Sequence, residues 1–225
     1  MDYGLHLLTF KIFQSQNFFE TYHLTLEYLV NFIEYVKFGY SPENPYHNIH
    51  HVIDSMQGMQ FILTNGDVKK HFKKHDIYAA YIACLIHDYE HPGYSNQFVV
   101  RTKHPLAIRY SDINVLENHH LAAGFQILFN YEKSNLIENM PYEIQREVRT
   151  LIIDSVLNTD ISKHFSLLTE LKTKLGNNFP TDSLEDRKLI MSVSLRIASS
   201  FKVVRDRLVF FKWMDFTFDE FNKQG

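Results

Sequence analysis

The sequence holds 13 histidines, and one group of them points to a shared site within positions 47–120. The group consists of His47, His50, His51, His87, His91, His119 and His120. The spacing of four between His47 and His51 lets two imidazoles share one helical face. Asp88 follows His87 in an apolar segment, and a buried carboxylate needs a partner or a metal ion. The alternatives are a solvated polar face for the first pair and a satisfied polar pair for the second.

Glu117, with His119 and His120 close behind it, is a third candidate cluster. It could be a charge relay or an exposed pair at helical spacing. Imidazole and carboxylate without thiolate suit a hard or borderline divalent ion such as zinc, magnesium or manganese. Histidines beyond the direct ligands could orient those ligands or transfer protons.

Helices must position these residues, because the apolar period between breaks is near 3.6. The clearest predicted helix covers 45–64, with Asn44 as N-cap and Pro45 at the first helical position. It places His47, His51, Asp54 and Gly58 on one face, opposite an apolar stripe. Further helices are predicted over about 76–90, carrying His87 and Asp88 near its end, over about 113–130, and within 185–224.

The composition favours one all-α domain over residues 1–225. Gly and Pro number only 8 and 6, which disfavours a turn-rich β fold, and 45% of the residues are hydrophobic. The net charge of -3 predicts no nucleic-acid partner. No apolar run reaches the roughly 18 residues of a membrane span. The single Cys84 and the absence of a basic leader predict a reducing, cytoplasmic location.

Four blocks of sequence resemble those of class I cyclic-nucleotide phosphodiesterases. Block 46–54, YHNIHHVID, resembles the family's YHNxxHxxD. Block 85–96, LIHDYEHPGYSN, contains the pattern HDxxHPGxxN. Block 106–120 is similar to the family's LAxxYxDxSVLENHH run, with Asn114 where Ser is usual, and 159–165 resembles TDMSKHF. The blocks occur in family order, and the resemblance implies an all-helical, HD-type metal phosphohydrolase.

The resemblance also implies a role for each candidate residue. His47 is the general acid that protonates the O3′ leaving group, and Glu117 orients it. His51, His87 and Asp88 bind the tighter of two divalent ions, usually zinc. Asp88 also bridges to the second ion, magnesium or manganese, which is otherwise held by water.

The remaining implied roles concern the surroundings of the two ions. His91, Asn96 and Asp160 order water and neighbouring groups. Water activated between the ions attacks phosphorus, and the expected reaction converts cAMP or cGMP to the nucleoside 5′-monophosphate.

One expected metal ligand is replaced in this sequence. The tail 220–225, EFNKQG, resembles the family's EFxxQG, and with Trp213 it anchors a gap-free alignment back to the HxADLSNP-like block. Ser199 then stands where the family has a ligand Asp, and Arg196 and Lys202 replace the flanking His and Asn. A neutral hydroxyl is a poor ligand for a divalent ion.

The family's sequence continues past this tail with the residues that grip the purine, so we expect the domain to be incomplete at its C-terminus. Two functions follow: a cyclic-nucleotide phosphodiesterase, or a catalytically impaired pseudoenzyme that keeps the fold as a nucleotide- or partner-binding module. Position 199 is the residue that discriminates between them. A different HD-type phosphohydrolase would not need Tyr46 or the block 115–120.

Overall fold

The computed structural model describes residues 3–175, 179 and 181–225. These residues form an all-helical fold with no β-strand among them, which confirms the predicted fold class. Short 3-10 helices occur at Asp67–His71, Ile161–Lys163 and Phe201–Val204. The α-helices, in chain order, are α1 Gly4–Ser15, α2 Phe18–Thr21, α3 Leu26–Gly39, α4 Ile49–Asn65, α5 Lys74–Ile86, α6 Asn96–Arg101, α7 Pro105–Arg109, α8 Val115–Asn130, α9 Tyr142–Leu157, α10 His164–Leu175, α11 Leu184–Ser199 and α12 Arg207–Asn222. Within the described residues, no helix combines the length and apolarity that crossing a bilayer requires.

Helix α5 lies at the centre of the main core. Every residue from 77 to 86 is buried, and the helix packs against α4, α8, α9 and α11. A helix enclosed in this way is apolar on all sides, as its sequence predicted. A second, smaller core of Val99, Ala107, Val115 and Leu116 joins α6, α7 and α8. The end of α5 therefore delivers its last residues into the middle of the protein.

Helix α4 begins four residues later than the sequence predicted. Asn48, rather than Asn44, is the N-cap, and its side chain accepts a hydrogen bond from the His50 amide at 2.9 Å. The Asn44 side chain instead donates to the His91 carbonyl at 2.8 Å, a contact across 47 residues. His47 consequently lies in the loop before α4 and does not share a helical face with His51.

The other predicted boundaries are correct to within a few residues. Helix α5 ends at Ile86 rather than 90, because a turn follows in which Glu90 has φ 58°. Helix α8 begins at Val115, after Asn114 with φ 44°. The stretch 185–224 holds the two helices α11 and α12. Most of the break predicted at 176–180 lies outside the described residues.

Helix α11 crosses α4 closely at Gly58. A Cβ atom on Gly58 would lie 2.7 Å from the Phe201 ring and 3.1 Å from the Ala198 carbonyl oxygen. A larger residue would force the two elements apart. This close approach brings the end of α11, with Ser199, beside the residues of α4 that face the core.

Candidate active site

Three donor atoms meet in the interior where α4 passes the end of α5. His51 Nε2 and His87 Nε2 are 3.2 Å apart, and each lies 3.0 Å from Asp88 Oδ2. Metal–ligand bonds of about 2.0–2.2 Å place neighbouring ligand atoms about 3.0–3.5 Å apart. The three predicted ligands therefore converge, and their spacing fits one divalent ion.

The two imidazoles nearest α5 are oriented by backbone carbonyls. His87 Nδ1 donates to the Cys84 carbonyl at 2.8 Å, which directs Nε2 into the site. His120 Nδ1 donates to the Tyr89 carbonyl at 2.7 Å, and its Nε2 lies 3.9 Å from Asp88 Oδ1. Metal-binding histidines commonly have their second ring nitrogen fixed in this way. His119 lies apart from this centre and pairs with Glu90 at 3.0 Å.

The charges of the cluster suit a cation. Burial lowers the pKa of His51 to about 4, so its ring is neutral near pH 7 and can act as a ligand. Burial opposes ionisation of Asp88, but the neighbouring His87 and the hydrogen bonds from both histidines outweigh it and hold the Asp88 pKa well below its usual range. Burial opposes protonation of His87, but Asp88 beside it raises the His87 pKa, so a metal ion at this site would displace any proton that the His87 ring carries.

Glu220 is the carboxylate that contacts the His47 ring, in place of the predicted Glu117. Its Oε1 contacts His47 Nδ1, and its Oε2 accepts hydrogen bonds from the backbone amides of Tyr46 and His47 at 3.1 and 3.0 Å. Burial opposes ionisation of Glu220, but the hydrogen bond from His47 lowers its pKa. Glu220 was not among the residues predicted for the site, although it lies in the tail motif EFNKQG, and a carboxylate within a motif is itself a signal.

His91 lies against His47 on the other side. The two rings stack with centroids 3.7 Å apart. His91 Nδ1 accepts a hydrogen bond from the Gly93 amide at 3.0 Å, which fixes the His91 ring. His91 is thus held beside the predicted general acid and borders the same cavity as the three-donor cluster.

Glu117 is buried in α8 and pairs with Asn96. Both carboxylate oxygens accept from Asn96 Nδ2, at 3.1 and 3.0 Å, and Asn96 Oδ1 accepts from the Leu116 amide at 3.0 Å. Burial raises the pKa of Glu117 to about 7. The structure brings Glu117 to the cavity, but its hydrogen bonds join it to Asn96 rather than to His47.

Asp160 approaches the site from the loop after α9. Its Oδ2 accepts a hydrogen bond from Asn114 Nδ2 at 2.8 Å, and its Oδ1 accepts from the Ser162 amide at 2.9 Å. Asn114 is the residue that departs from the usual Ser of the family block, and here its amide ties the Asp160 loop to the start of α8.

Ser199 lies at the end of α11 and lines the cavity around the three-donor cluster. Its hydroxyl donates to the Arg196 carbonyl of its own helix at 3.1 Å. Lys202, one turn further, places its ammonium 3.6 Å from the centre of the Tyr46 ring. The hydroxyl is neutral and is already hydrogen-bonded within the helix, so Ser199 adds no negative charge to the site.

Two adjoining cavities surround these residues. The smaller, of about 200 Å³, encloses the three-donor cluster and Ser199. The larger, of about 740 Å³, extends past Asn96 and Asp160. His47 and Glu117 border both of them. A small polar chamber thus adjoins a cleft large enough for a ligand of nucleotide size.

Two other groups of possible metal ligands occur among the described residues, and neither is a comparable site. His75, Asp76 and Glu147 converge, but the Arg187 guanidinium contacts Asp76 at 2.6 Å and Glu147 at 2.8 Å and so supplies the positive charge. The second group is His47, His91 and Glu220. Its carboxylate, Glu220, already contacts the His47 ring and accepts hydrogen bonds from two backbone amides.

Comparisons with known proteins agree with this arrangement. The family model described as 3'5'-cyclic nucleotide phosphodiesterase matches residues 46–225. The chain is 32% identical over 228 residues to the 3',5'-cyclic-AMP phosphodiesterase 4C of Mus musculus, covering 98% of this chain and 33% of that protein. It is 32% identical over 225 residues to the human dual specificity calcium/calmodulin-dependent 3',5'-cyclic nucleotide phosphodiesterase 1C, covering 100% of this chain and 31% of that protein.

The fold agrees as well. A crystal structure of the phosphodiesterase domain of the RhoPDE fusion protein from the choanoflagellate Salpingoeca rosetta superposes with a TM-score of 0.94 at 27% identity, covering 100% of this chain and 71% of that one. The chain spans about a third of the length of the curated relatives it matches. Sequence, fold and the convergence of His51, His87 and Asp88 lead to one conclusion: the chain belongs to the 3′,5′-cyclic nucleotide phosphodiesterase family.

Proposed function

We propose that this chain hydrolyses 3′,5′-cyclic nucleotides to nucleoside 5′-monophosphates. The observation that carries the proposal is a buried three-donor cluster, at His51, His87 and Asp88, on a cavity that is also lined by His47, whose ring pairs with the Glu220 carboxylate. The first can hold a Lewis acid, and the second can deliver a proton. The relatives' names include a cyclic-AMP enzyme and a dual-specificity enzyme, so cAMP and cGMP are both candidate substrates.

We infer that His51, His87 and Asp88 hold the tighter ion, zinc, because two imidazoles and one carboxylate form a ligand set typical of that metal. A second ion, magnesium or manganese, would share Asp88 and keep water as its other ligands. His91, Asn96 and Asp160 would order that water. When bound, divalent ions lower the pKa of water and stabilise negative charge on the phosphate.

His47 would act as the general acid. The Glu220 carboxylate contacts Nδ1, where it can accept a hydrogen bond from the ring N–H, and Nε2 is then the position from which a proton can be donated. The leaving O3′ atom would take that proton as its bond to phosphorus breaks. The backbone amides of Tyr46 and His47 also donate hydrogen bonds to Glu220, and these bonds fix the carboxylate in place beside the His47 ring.

The experiment measures conversion of cAMP and cGMP to the 5′-monophosphates by the zinc- and magnesium-loaded chain, with and without chelator. We expect chelator-sensitive turnover that falls by about 10²–10⁴-fold in His47→Asn, the contribution typical of a general acid. Glu143→Gln, an exposed change on α9, is the control and should leave turnover unchanged. Turnover that survives the chelator or the His47 change would contradict the mechanism.

A pseudoenzyme that binds the nucleotide without hydrolysing it is the second candidate. Ser199 favours it, because the hydroxyl at this cavity wall is neutral and bonded to its own helix. Binding of 5′-AMP without turnover of either substrate would support this alternative. A cytoplasmic location stays a prediction based on the single cysteine.

A further inference from the structure

Arg196 grips the loop that carries Asp160. One guanidinium nitrogen donates to the carbonyls of Asn158 and Thr159 at 2.9 and 3.1 Å, and the other donates to the Asp160 carbonyl at 3.3 Å. The Arg196 Nε donates to His164 Nδ1 at 3.1 Å. A single side chain of α11 therefore fastens the end of α9, the loop and the start of α10.

This contact is well suited to the backbone it meets. The last carbonyls of a helix have no partner within the helix, and they carry the negative end of its dipole. Arg196 reaches the C-cap carbonyl of α9, at Asn158, and the two carbonyls that follow it, with a planar, permanently charged donor. A lysine offers a single nitrogen, so it would lose both the Nε contact with His164 and the second terminal nitrogen on the Asp160 carbonyl.

The gripped loop forms a wall of both cavities. Thr159 borders the small chamber, whereas Asp160, Ile161 and Ser162 border the larger cleft. The Asp160 carboxylate is in turn bonded to Asn114, at the start of the helix that carries Glu117. A displacement of Arg196 would therefore move this loop, and with it a wall of the cleft in which a nucleotide would lie.

We propose that Arg196 is a positioning residue that sets this wall and thereby the affinity of the site for its nucleotide. The proposal rests on the proposed function for the identity of that ligand. Most of the guanidinium N–H groups are already used on carbonyls and on His164, so Arg196 acts through the loop rather than on phosphate. The hydroxyl of Ser199 is bonded to the Arg196 carbonyl, so these two of the three departures from the family motif lie in one helical turn.

The test compares Arg196→Lys and Arg196→His with Arg187→Lys. Arg187 is a buried arginine of the same helix whose partners are Asp76 and Glu147, so its variant weakens the fold away from the loop. Amide hydrogen exchange over 159–163 is measured against exchange in α5. We expect exchange in the loop to rise about tenfold or more in both Arg196 variants, with no loop-specific rise in the control.

The same proteins, loaded with zinc and magnesium, are titrated with 5′-AMP and assayed for KM and kcat. We expect the affinity for 5′-AMP to fall and KM to rise by about tenfold, with a smaller change in kcat. Unchanged loop exchange, or faster exchange with unchanged affinity and KM, would overturn the proposal. If the wild type neither binds 5′-AMP nor turns over, the proposed function fails, and the exchange comparison alone decides whether Arg196 positions the loop.

Discussion

Glu220 shows how a residue distant in sequence completes a site that short motifs only outline. The predicted candidates His47, His51, His87, His91, Asn96, Asp88, Glu117 and Asp160 all contribute to the two adjoining cavities. Their pairing differs from the prediction, because Glu220 reaches the His47 ring across 173 residues while Glu117 bonds to Asn96. Spacing within a motif gives the residue types of a site, but not which distant carboxylate reaches a given ring.

Ser199 is the position at which a single substitution should strengthen metal retention. Replacing it with Asp adds a carboxylate to the wall of the chamber that holds His51, His87 and Asp88. We expect Ser199→Asp to raise zinc affinity by about tenfold or more, the least that the loss of a neighbouring group usually costs such a site. Zinc per chain after dialysis against a graded chelator is the measurement.

Ser166→Asp is the matched control, because it adds the same charge on the exposed side of α10. Equal zinc retention in the two variants would mean that net charge, and not the position of residue 199, governs the effect.

Glu117 should make the stability of the metal-free protein depend on pH. Burial raises its pKa to about 7, so the folded state favours the protonated carboxyl. That stabilisation is full below the unfolded pKa of about 4.5 and is lost as the pH rises through about 7. We expect chelator-treated wild type to lose on the order of 2 kcal/mol relative to Glu117→Gln between about pH 5 and 8.

Urea unfolding of both proteins across this pH range measures the difference. Glu143→Gln, on the exposed face of α9, serves as the control and should follow the wild type. Wild-type and Glu117→Gln curves that stay parallel would show that Glu117 does not titrate in this interval.

At the scale of elements, Arg187 ties three helices together through a buried ion-pair network. It extends from α11 to Asp76 of α5 and Glu147 of α9, and it is 3% exposed. Arg187→Met leaves the fully buried Asp76 without its main partner. We expect a loss of about 3–5 kcal/mol, because an uncompensated buried charge is costly.

Arg146→Met provides the comparison, since the ion pair of Arg146 with Glu143 on α9 is exposed. Its expected change is within about 0.5 kcal/mol. Urea midpoints of the two variants measure the contrast, and similar losses in both would exclude a special role for the network.

The helices were largely predictable from the sequence, whereas their exact starts were not. Helix α5 is apolar on every side because it is enclosed, and that pattern is local. The start of α4 was misplaced because Asn44 and Pro45 resemble a capped helix start. The Asn44 side chain instead donates to the His91 carbonyl. A hydrogen bond between residues so far apart in sequence cannot be predicted from a local pattern.

At the scale of the whole molecule, helix α12 and the residues after it pack against earlier parts of the chain that form the site. Glu220 of α12 holds the loop before α4, Lys223 Nζ donates to the Glu43 carbonyl at 3.0 Å, and Gln224 Oε1 accepts from the Ser95 amide at 3.0 Å. The histidine–carboxylate pair therefore forms only when α12 has docked, which couples completion of the fold to completion of the site.

The most direct test of the account is whether one zinc ion binds through His51, His87 and Asp88. Zinc per chain and the melting temperature are measured with and without chelator for wild type, Asp88→Ala and Asp67→Ala, the last changing an aspartate that is 92% exposed. We expect about one tightly held zinc in wild type and Asp67→Ala, with a lower melting temperature on chelation, because a ligand of the native state stabilises it. Asp88→Ala should lose both the ion and the shift. Equal zinc content in Asp88→Ala, or no effect of chelation on zinc-loaded wild type, would contradict the account.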